Sequence, residues 1–225
     1  MYLLTETASP FALERWAAFF ANFGQFAKGF FYTLGISIGA LIVALLLGLI
    51  FGAMSSTHNK VLRGISRVYV EIFQNTPLLV QFVVVFYGIS ILTDGHVMIP
   101  ISLTAILCVG VYTGAYISEI IRTGIEAVPK GQTEAALSQG FTYADTMRII
   151  ILPQAVRTIL PPLTNQVVNL IKNTSTVAII SGADIMFTAK AWAYDTTNYV
   201  PAFAGAAFLY FIMCFPLATL SLIHI

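Results

Sequence analysis

The sequence predicts an all-α polytopic membrane protein, with about five transmembrane helices and one long polar loop folded as a helix-turn-helix on the cytoplasmic side. Composition is the first observation behind this. Of 225 residues, 58% are hydrophobic and 9% are charged, and the mean hydropathy is +0.85. Ordinary soluble domains carry about 25% charged residues, so a water-facing surface of normal extent is excluded. The second observation is the spacing of charge-free runs, which approach the roughly 20 residues that a helix needs to cross a bilayer. None alternates with period two, as the strands of an outer-membrane barrel do.

The chain reads as a single transmembrane domain over 1–225. No formal charge occurs from Gly29 to Asn59, and 29–54 is the first expected span. Lys60, Arg63 and Arg67 follow in a polar loop. The second expected span is 68–92, with Glu71 near one end and Pro77 inside it, where a kink would free backbone carbonyls. The third is 101–121, followed by the polar stretch 122–157. The fourth, 158–181, is interrupted by Lys172, and the last covers 202–223.

Orientation follows from lysine and arginine. The loops after spans one and three hold seven of them, against three (Arg15, Lys28, Lys190) on the other side. The positive-inside rule then puts both basic loops in the cytoplasm, the N-terminus outside and the C-terminus inside. Residues 10–28, rich in Phe and Trp, form either an amphipathic helix in the outer interface or an extension of span one. The opening residues MYLLTETASP lack a basic n-region and a cleavage site, so no cleavable signal is expected and the first span carries the targeting information. The chain closes on ATLSLIHI while still apolar, so the last span is expected to be cut short, without a basic flank.

Three GxxxG pairs (Gly35 with Gly39, Gly48 with Gly52, Gly110 with Gly114) predict close helix packing inside the bundle. In the polar stretch, Thr123 with Glu126 and Thr142 with Asp145 have capping-box spacing. Pro129 is expected to stop the helix leaving span three, 132–139 to form a short helix closed by Gly140, and 143–152 a second one. Pro153 is expected to break or kink the chain before the next span. Small residues Ala135 and Ala136 give the first short helix a face suited to a partner's groove, and the apolar MRIIIL needs something to pack on.

Several function classes are disfavoured. A net charge of +1 gives no pull toward nucleic acid. Cys108 and Cys214 lie in apolar runs, and His58, His96 and His224 are scattered, so neither a disulfide framework nor a metal site is expected. No acid/base pair or nucleophile with its base suggests an enzyme, and the sequence has no GxxxxGK[ST] phosphate loop, so any ATP must be bound by another subunit. Ion-coupled secondary transporters usually place ionisable residues in several spans; here spans one and five hold none.

Glu134-Ala135-Ala136, then Gly140 after three residues, then Ile150, Leu152 and Pro153 match the EAA signature at every position. In this the chain resembles the permease subunits of ABC importers for polar amino acids, the histidine, glutamine and arginine group. The resemblance extends to VYVEIFQNTPLLVQF (68–82) and NQVVNLIKNTSTVAII (165–180). It implies a bacterial inner-membrane importer in which two permease chains, identical or paralogous, pair in the bilayer. Their EAA loops dock on a cytoplasmic ABC ATPase dimer, and an external solute-binding protein delivers the amino acid. Glu134, Ala135, Ala136, Gly140, Ile150, Leu152 and Pro153 become the ATPase-coupling residues by that resemblance. Gln74-Asn75 departs from the Arg-Gly or Arg-Asn that relatives often carry.

Lys172 sits inside an expected span, where a lysine marks a functional site or a buried pair. Asn165, Asn169, Lys172, Asn173 and Thr176 fall at helical spacing and make a polar stripe. The stripe is read either as a substrate path, with Lys172 or the amides meeting an amino-acid carboxylate, or as structure. In the second case Lys172 snorkels or pairs with Glu119 or Glu71. Gln74, Asn75 and Thr76, just before Pro77, carry the same two readings.

Overall fold

A computed structural model describes residues 9–223, with side chains through residue 219. Residues 1–8 of the opening stretch read above for a signal, and His224, lie outside that description. Every regular element among the described residues is helical.

α1 (Leu13–Ala21) and α2 (Phe23–Ser55) are separated only by Asn22, whose side-chain amide donates to the Ala18 carbonyl at 2.9 Å. Residues 10–28 are therefore divided between two helices. α1 is tied to the far end of the chain by Arg15, whose guanidinium donates to the Thr197 carbonyl and Asn198 Oδ1 at 2.9 and 3.0 Å. Phe19 lies against Gly205 and packs edge-on to Phe26 and Trp192. Leu13 and Phe20 remain exposed on the other side of α1.

α2 packs most closely with α6 (Ile101–Glu126), and glycine makes the approach possible. A methyl group at Gly52 would meet Ile121 at 2.8 Å, and one at Gly110 would meet Val43 at 2.7 Å. Gly48 lies under Ile117, and Gly114 under the Tyr69 hydroxyl and Leu47. Two of the three expected GxxxG pairs thus form reciprocal seams between the same two helices. In the third pair Gly39 meets Ile106, while Gly35 faces open space.

Where the sequence predicts one span over 68–92, the chain makes two helices meeting at 96°: α3 (Lys60–Gln74) and a second rod over Leu78–Leu92. That rod consists of α4 (Leu78–Val83), a π-helical segment (Val84–Gly88) and α5 (Ile89–Leu92). α3 is capped by Asn59, whose side chain accepts from the Val61 amide at 2.9 Å. Pro77 takes the N-cap of α4 in extended conformation, as a residue without an N–H readily does. Gln81 staples the corner: its Nε2 donates to Thr76 Oγ1 at 2.8 Å and to the carbonyls of Thr76 and Phe73 at 3.2 Å each. The bend leaves carbonyls free, and a side chain four residues past the proline satisfies them.

α7 (Lys130–Ser138) follows Pro129, and α8 (Tyr143–Asp145) leads through a π-helical segment (Thr146–Ile151) into α9 (Leu152–Asn173). Two expectations change here. Thr123 does not cap a helix; it lies inside α6, its hydroxyl donating to the Glu119 carbonyl at 2.8 Å. Nor does Pro153 break the chain. The wider π turn just before it accommodates the ring that would otherwise strike the carbonyl four residues back, and Gln154 Nε2 donates to the Ile150 carbonyl at 2.8 Å.

α9 passes into a 3-10 segment (Thr174–Ile180), ended by Ser181 in the left-handed region, then α10 (Ile185–Thr196) and α11 (Tyr199–Ile223). Among the described residues, three helices are long and apolar enough to cross a membrane (α2, α6 and Tyr199–Thr219 of α11), or four if the bent pair α3 and Leu78–Leu92 counts as one. α9, with its prolines, amides and Lys172, is not among them. Two cores hold the bundle. One joins Phe19, Phe26, Ile185, Trp192 and Leu209; the other joins Ile36, Phe82, Val109, Ile117, Leu170 and Ile180.

Candidate functional site

The polar loop forms a rigid corner. In α7, Glu134 and Ala135 are exposed, whereas Ala136 is buried against the π segment. The helix ends in a Schellman motif: the Phe141 amide donates to the Ala136 carbonyl and the Gly140 amide to the Leu137 carbonyl, both at 3.1 Å. Gly140 holds φ at +87°, a conformation a Cβ would strain. Thr142 then caps α8, its Oγ1 accepting from the Asp145 amide at 3.2 Å and donating to Asp145 Oδ2 at 2.6 Å. His58, from the turn after α2, meets the Tyr143 ring edge-on. Ile150 is half-buried, while Leu152 and Pro153 are exposed. Exposed Leu137, Phe141, Tyr143, Ile149 and Leu152 leave this end of the molecule with uncovered apolar surface.

Of the expected substrate-path residues, Gln74 and Asn75 line a polar cleft of about 840 Å³. Its walls come from the α2–α3 turn, α3, the end of α6 and the start of α7. Glu119 and Arg122 form a two-point pair, with Arg122 Nε donating to Glu119 Oε2 at 3.0 Å, and Arg122 also reaches Glu126. Glu71 lies 3.7 Å from Arg67 and accepts from Asn75 Nδ2 at 2.9 Å. Gln74 donates to the Ala115 carbonyl at 3.2 Å. Thr76, in the bend after α3, turns back onto that helix and donates to the Ile72 carbonyl at 2.8 Å.

Lys172 is exposed on α9 and pairs with neither Glu119 nor Glu71; those carboxylates line the large cleft, where Arg122 and Arg67 meet them. It lines a cleft of about 300 Å³ with Asn169, Asn173, Gln166, Tyr112 and Tyr116. A more apolar cleft of about 440 Å³, with Val168, Phe211 and Tyr210, lies on its other side. Thr176 does not share these clefts. It falls in the 3-10 segment, where three residues per turn carry it off the stripe. The expected residues thus divide into two sets, Gln74 with Asn75 and Lys172 with Asn169 and Asn173.

Asp184 has no place in the sequence reading, yet it is 1% exposed among apolar helices. It caps α10, accepting from the Met186 and Phe187 amides at 3.1 and 3.0 Å and from the Tyr210 hydroxyl at 3.2 Å. The same turn is tied to α2 by the Ile185 amide, which donates to Thr33 Oγ1 at 3.1 Å. The available signal was an Asp directly before an apolar helical run, an N-cap pattern. Among the described residues, no three His, Cys, Asp or Glu side chains converge as a metal site would require.

Residues 44–223 match the family of binding-protein-dependent transport system inner membrane components. The chain belongs to this family. The permease is 38% identical over 202 residues to the probable glutamine ABC transporter permease protein GlnM of Bacillus subtilis (strain 168), covering 88% of this chain and 91% of that one. It is 33% identical over 208 residues to the glutamate/aspartate import permease protein GltJ of Escherichia coli (strain K12), covering 84% and 85%. Its fold superposes on a crystal structure of an amino acid ABC transporter with histidines at a TM-score of 0.85, with 31% identity and coverage of 92% and 96%. An inward-facing structure of the MetNI methionine ABC transporter shares the fold, at a TM-score of 0.72 and 15% identity. The permease is accordingly a multi-pass inner-membrane component of a transporter, and not an enzyme.

Proposed function

We propose that this permease carries a polar amino acid into the cytoplasm, driven by a separate ABC ATPase dimer that binds the ATP and docks on the loop around α7. The observation that carries the reading is the corner at Gly140. It fixes α7 rigidly to the start of α9 while leaving Glu134 and Ala135 uncovered for a partner. A force applied to α7 passes through buried Ala136 and the π segment into α9, which bears Lys172. Ile150, Leu152 and Pro153 form the joint. An external solute-binding protein delivers the amino acid, and a second permease, identical or paralogous, completes the pore. Five crossings, with α9 and its 3-10 continuation as the fourth, put the N-terminus outside and both basic loops inside. Gln74, Asn75, Lys172, Asn169 and Asn173 line the path, with Thr76 holding the end of α3 beside it.

Co-purification tests this. The wild-type chain in detergent retains its ATPase, and Glu134→Arg and Gly140→Trp lose it while still inserting in the membrane. Equal retention by both variants, or none by the wild type, removes the coupling role.

A further inference from the structure

We infer that α3 is a lipid-binding helix: its exposed apolar stripe rests on the acyl chains of the cytoplasmic leaflet, and its basic residues favour anionic phospholipid headgroups. The inference rests on the orientation proposed above, which supplies the cytoplasmic side.

α3 has three faces. Val61, Ile65, Val68 and Ile72 recur at the spacing of one helical stripe, and they are 69%, 50%, 58% and 52% exposed. A second face is fastened to the bundle. The Ser66 hydroxyl donates to the Phe51 carbonyl and the Tyr69 hydroxyl to the Val111 carbonyl, both at 2.7 Å, so the helix is not free to roll its stripe inward. Lys60, Arg63, Arg67 and Glu71 make the third face, on the side away from the stripe.

Depth decides what meets the stripe. α3 begins just after His58, which touches Tyr143 of the polar loop. It ends at Gln74, which donates to the Ala115 carbonyl near the middle of α6. The rod beyond the corner, Leu78–Leu92, is about 22 Å long at helical rise, short of a hydrocarbon core of about 30 Å. α3 must supply the rest of that crossing, so its stripe runs through the inner leaflet. Branched aliphatic side chains suit lipid there better than a second helix does. Helix contacts in a bilayer favour small residues, as in the α2–α6 seam, and the stripe has none.

The charges select the headgroup. Three cations stand against one carboxylate on the polar face, and among the described residues Lys60 and Arg63 pair with no carboxylate. Long basic side chains reach out to the phosphate layer, and attraction to anionic lipid acts over about a Debye length. An apolar stripe with a basic face opposite it is the pattern that seats a helix in a membrane interface.

The test uses the intact permease in nanodiscs, with a bimane fluorophore on Ile65→Cys; Cys108 and Cys214 are buried and stay unlabelled. Brominated phosphatidylglycerol or phosphatidylcholine in a mixed bilayer is the quencher. Both are expected to quench, with phosphatidylglycerol preferred by at least about threefold, and Lys60→Gln combined with Arg63→Gln is expected to bring the ratio to about one. Quenching by phosphatidylcholine that survives in this variant shows that it is folded and inserted. No quenching by either lipid, the result of water or a second protein chain over the stripe, overturns the proposal. So does equal quenching by both lipids in the parent, or an unchanged ratio in the variant. Reaction of Lys60→Cys with a membrane-impermeant thiol reagent from one side of sealed vesicles reports separately on orientation, so the two readings fail independently.

Discussion

The amide of Phe141 closes on the carbonyl of Ala136 at 3.1 Å and, with the Gly140 amide on Leu137, turns the chain from α7 toward α9. The turn depends on Gly140 at φ +87°. Gly140→Ala is expected to destabilise the corner by about 1 kcal/mol and to lower ATPase stimulation by the liganded binding protein. Gly140→Asn, which tolerates the left-handed region, is expected to keep more of it. Stimulation assays in proteoliposomes compare the two; identical loss in both would contradict the conformational role.

The α2–α6 seam is a steric lock. Gly52→Val forces a branched side chain into Ile121, 2.8 Å from the nearest added carbon, with Ser118 O at 3.2 Å behind it. Overpacking of this kind costs about 1–3 kcal/mol. Thermal unfolding in detergent should show the loss, and Ile121→Ala in the same chain should restore part of it.

Asp184 is expected to be a structural keystone. Asp184→Ala leaves two helix amides and the Tyr210 hydroxyl without their acceptor, at about 1–3 kcal/mol for each buried group left unpaired. Tyr210→Phe removes one donor and should cost less. A double-mutant cycle on unfolding free energy is expected to give a positive coupling between them; additive losses would break the assignment.

The 96° corner should depend on Gln81 more than on Pro77 alone. Gln81→Leu strips the carbonyls of Phe73 and Thr76 of their donor, and the corner is expected to loosen. Spin labels at exposed Ile65 and Ile91 would report a broader distance distribution in the variant than in the parent. An unchanged distribution would assign the bend to the proline.

Much of this was legible in the sequence because the bilayer imposes a simple rule. Charge-free runs mark α2, α6 and α11, and the capping spacing at Thr142 fixes the start of α8. The glycine pairs Gly48/Gly52 and Gly110/Gly114 predict close packing, and the structure supplies the partner by setting both pairs in the α2–α6 contact. What the sequence hid depends on competition between local and distant partners. Thr123 has the same spacing as Thr142 but lies within a helix that continues past it. Pro153 looked like a break because a π turn, which has no periodic signature, takes up its ring. Pairing of Lys172 with Glu119 or Glu71 is one of several readings the sequence allows, whereas in the structure Arg122 and Arg67, three and four residues from those carboxylates, are their partners. Asp184 carries a local capping signal, but its burial and its bond from Tyr210, 26 residues on, have no trace along the sequence.

The glycine seam also dictates an order of events during synthesis. Gly48 and Gly52 leave the ribosome well before Ile117 and Ile121, which cover them, have been made. Throughout that interval α2 presents an open notch to lipid, or to whatever insertion machinery accompanies it. Until α6 is made α2 lacks the side chains that cover this face, so a substitution that fills the notch is in place on the nascent chain before any transport cycle begins.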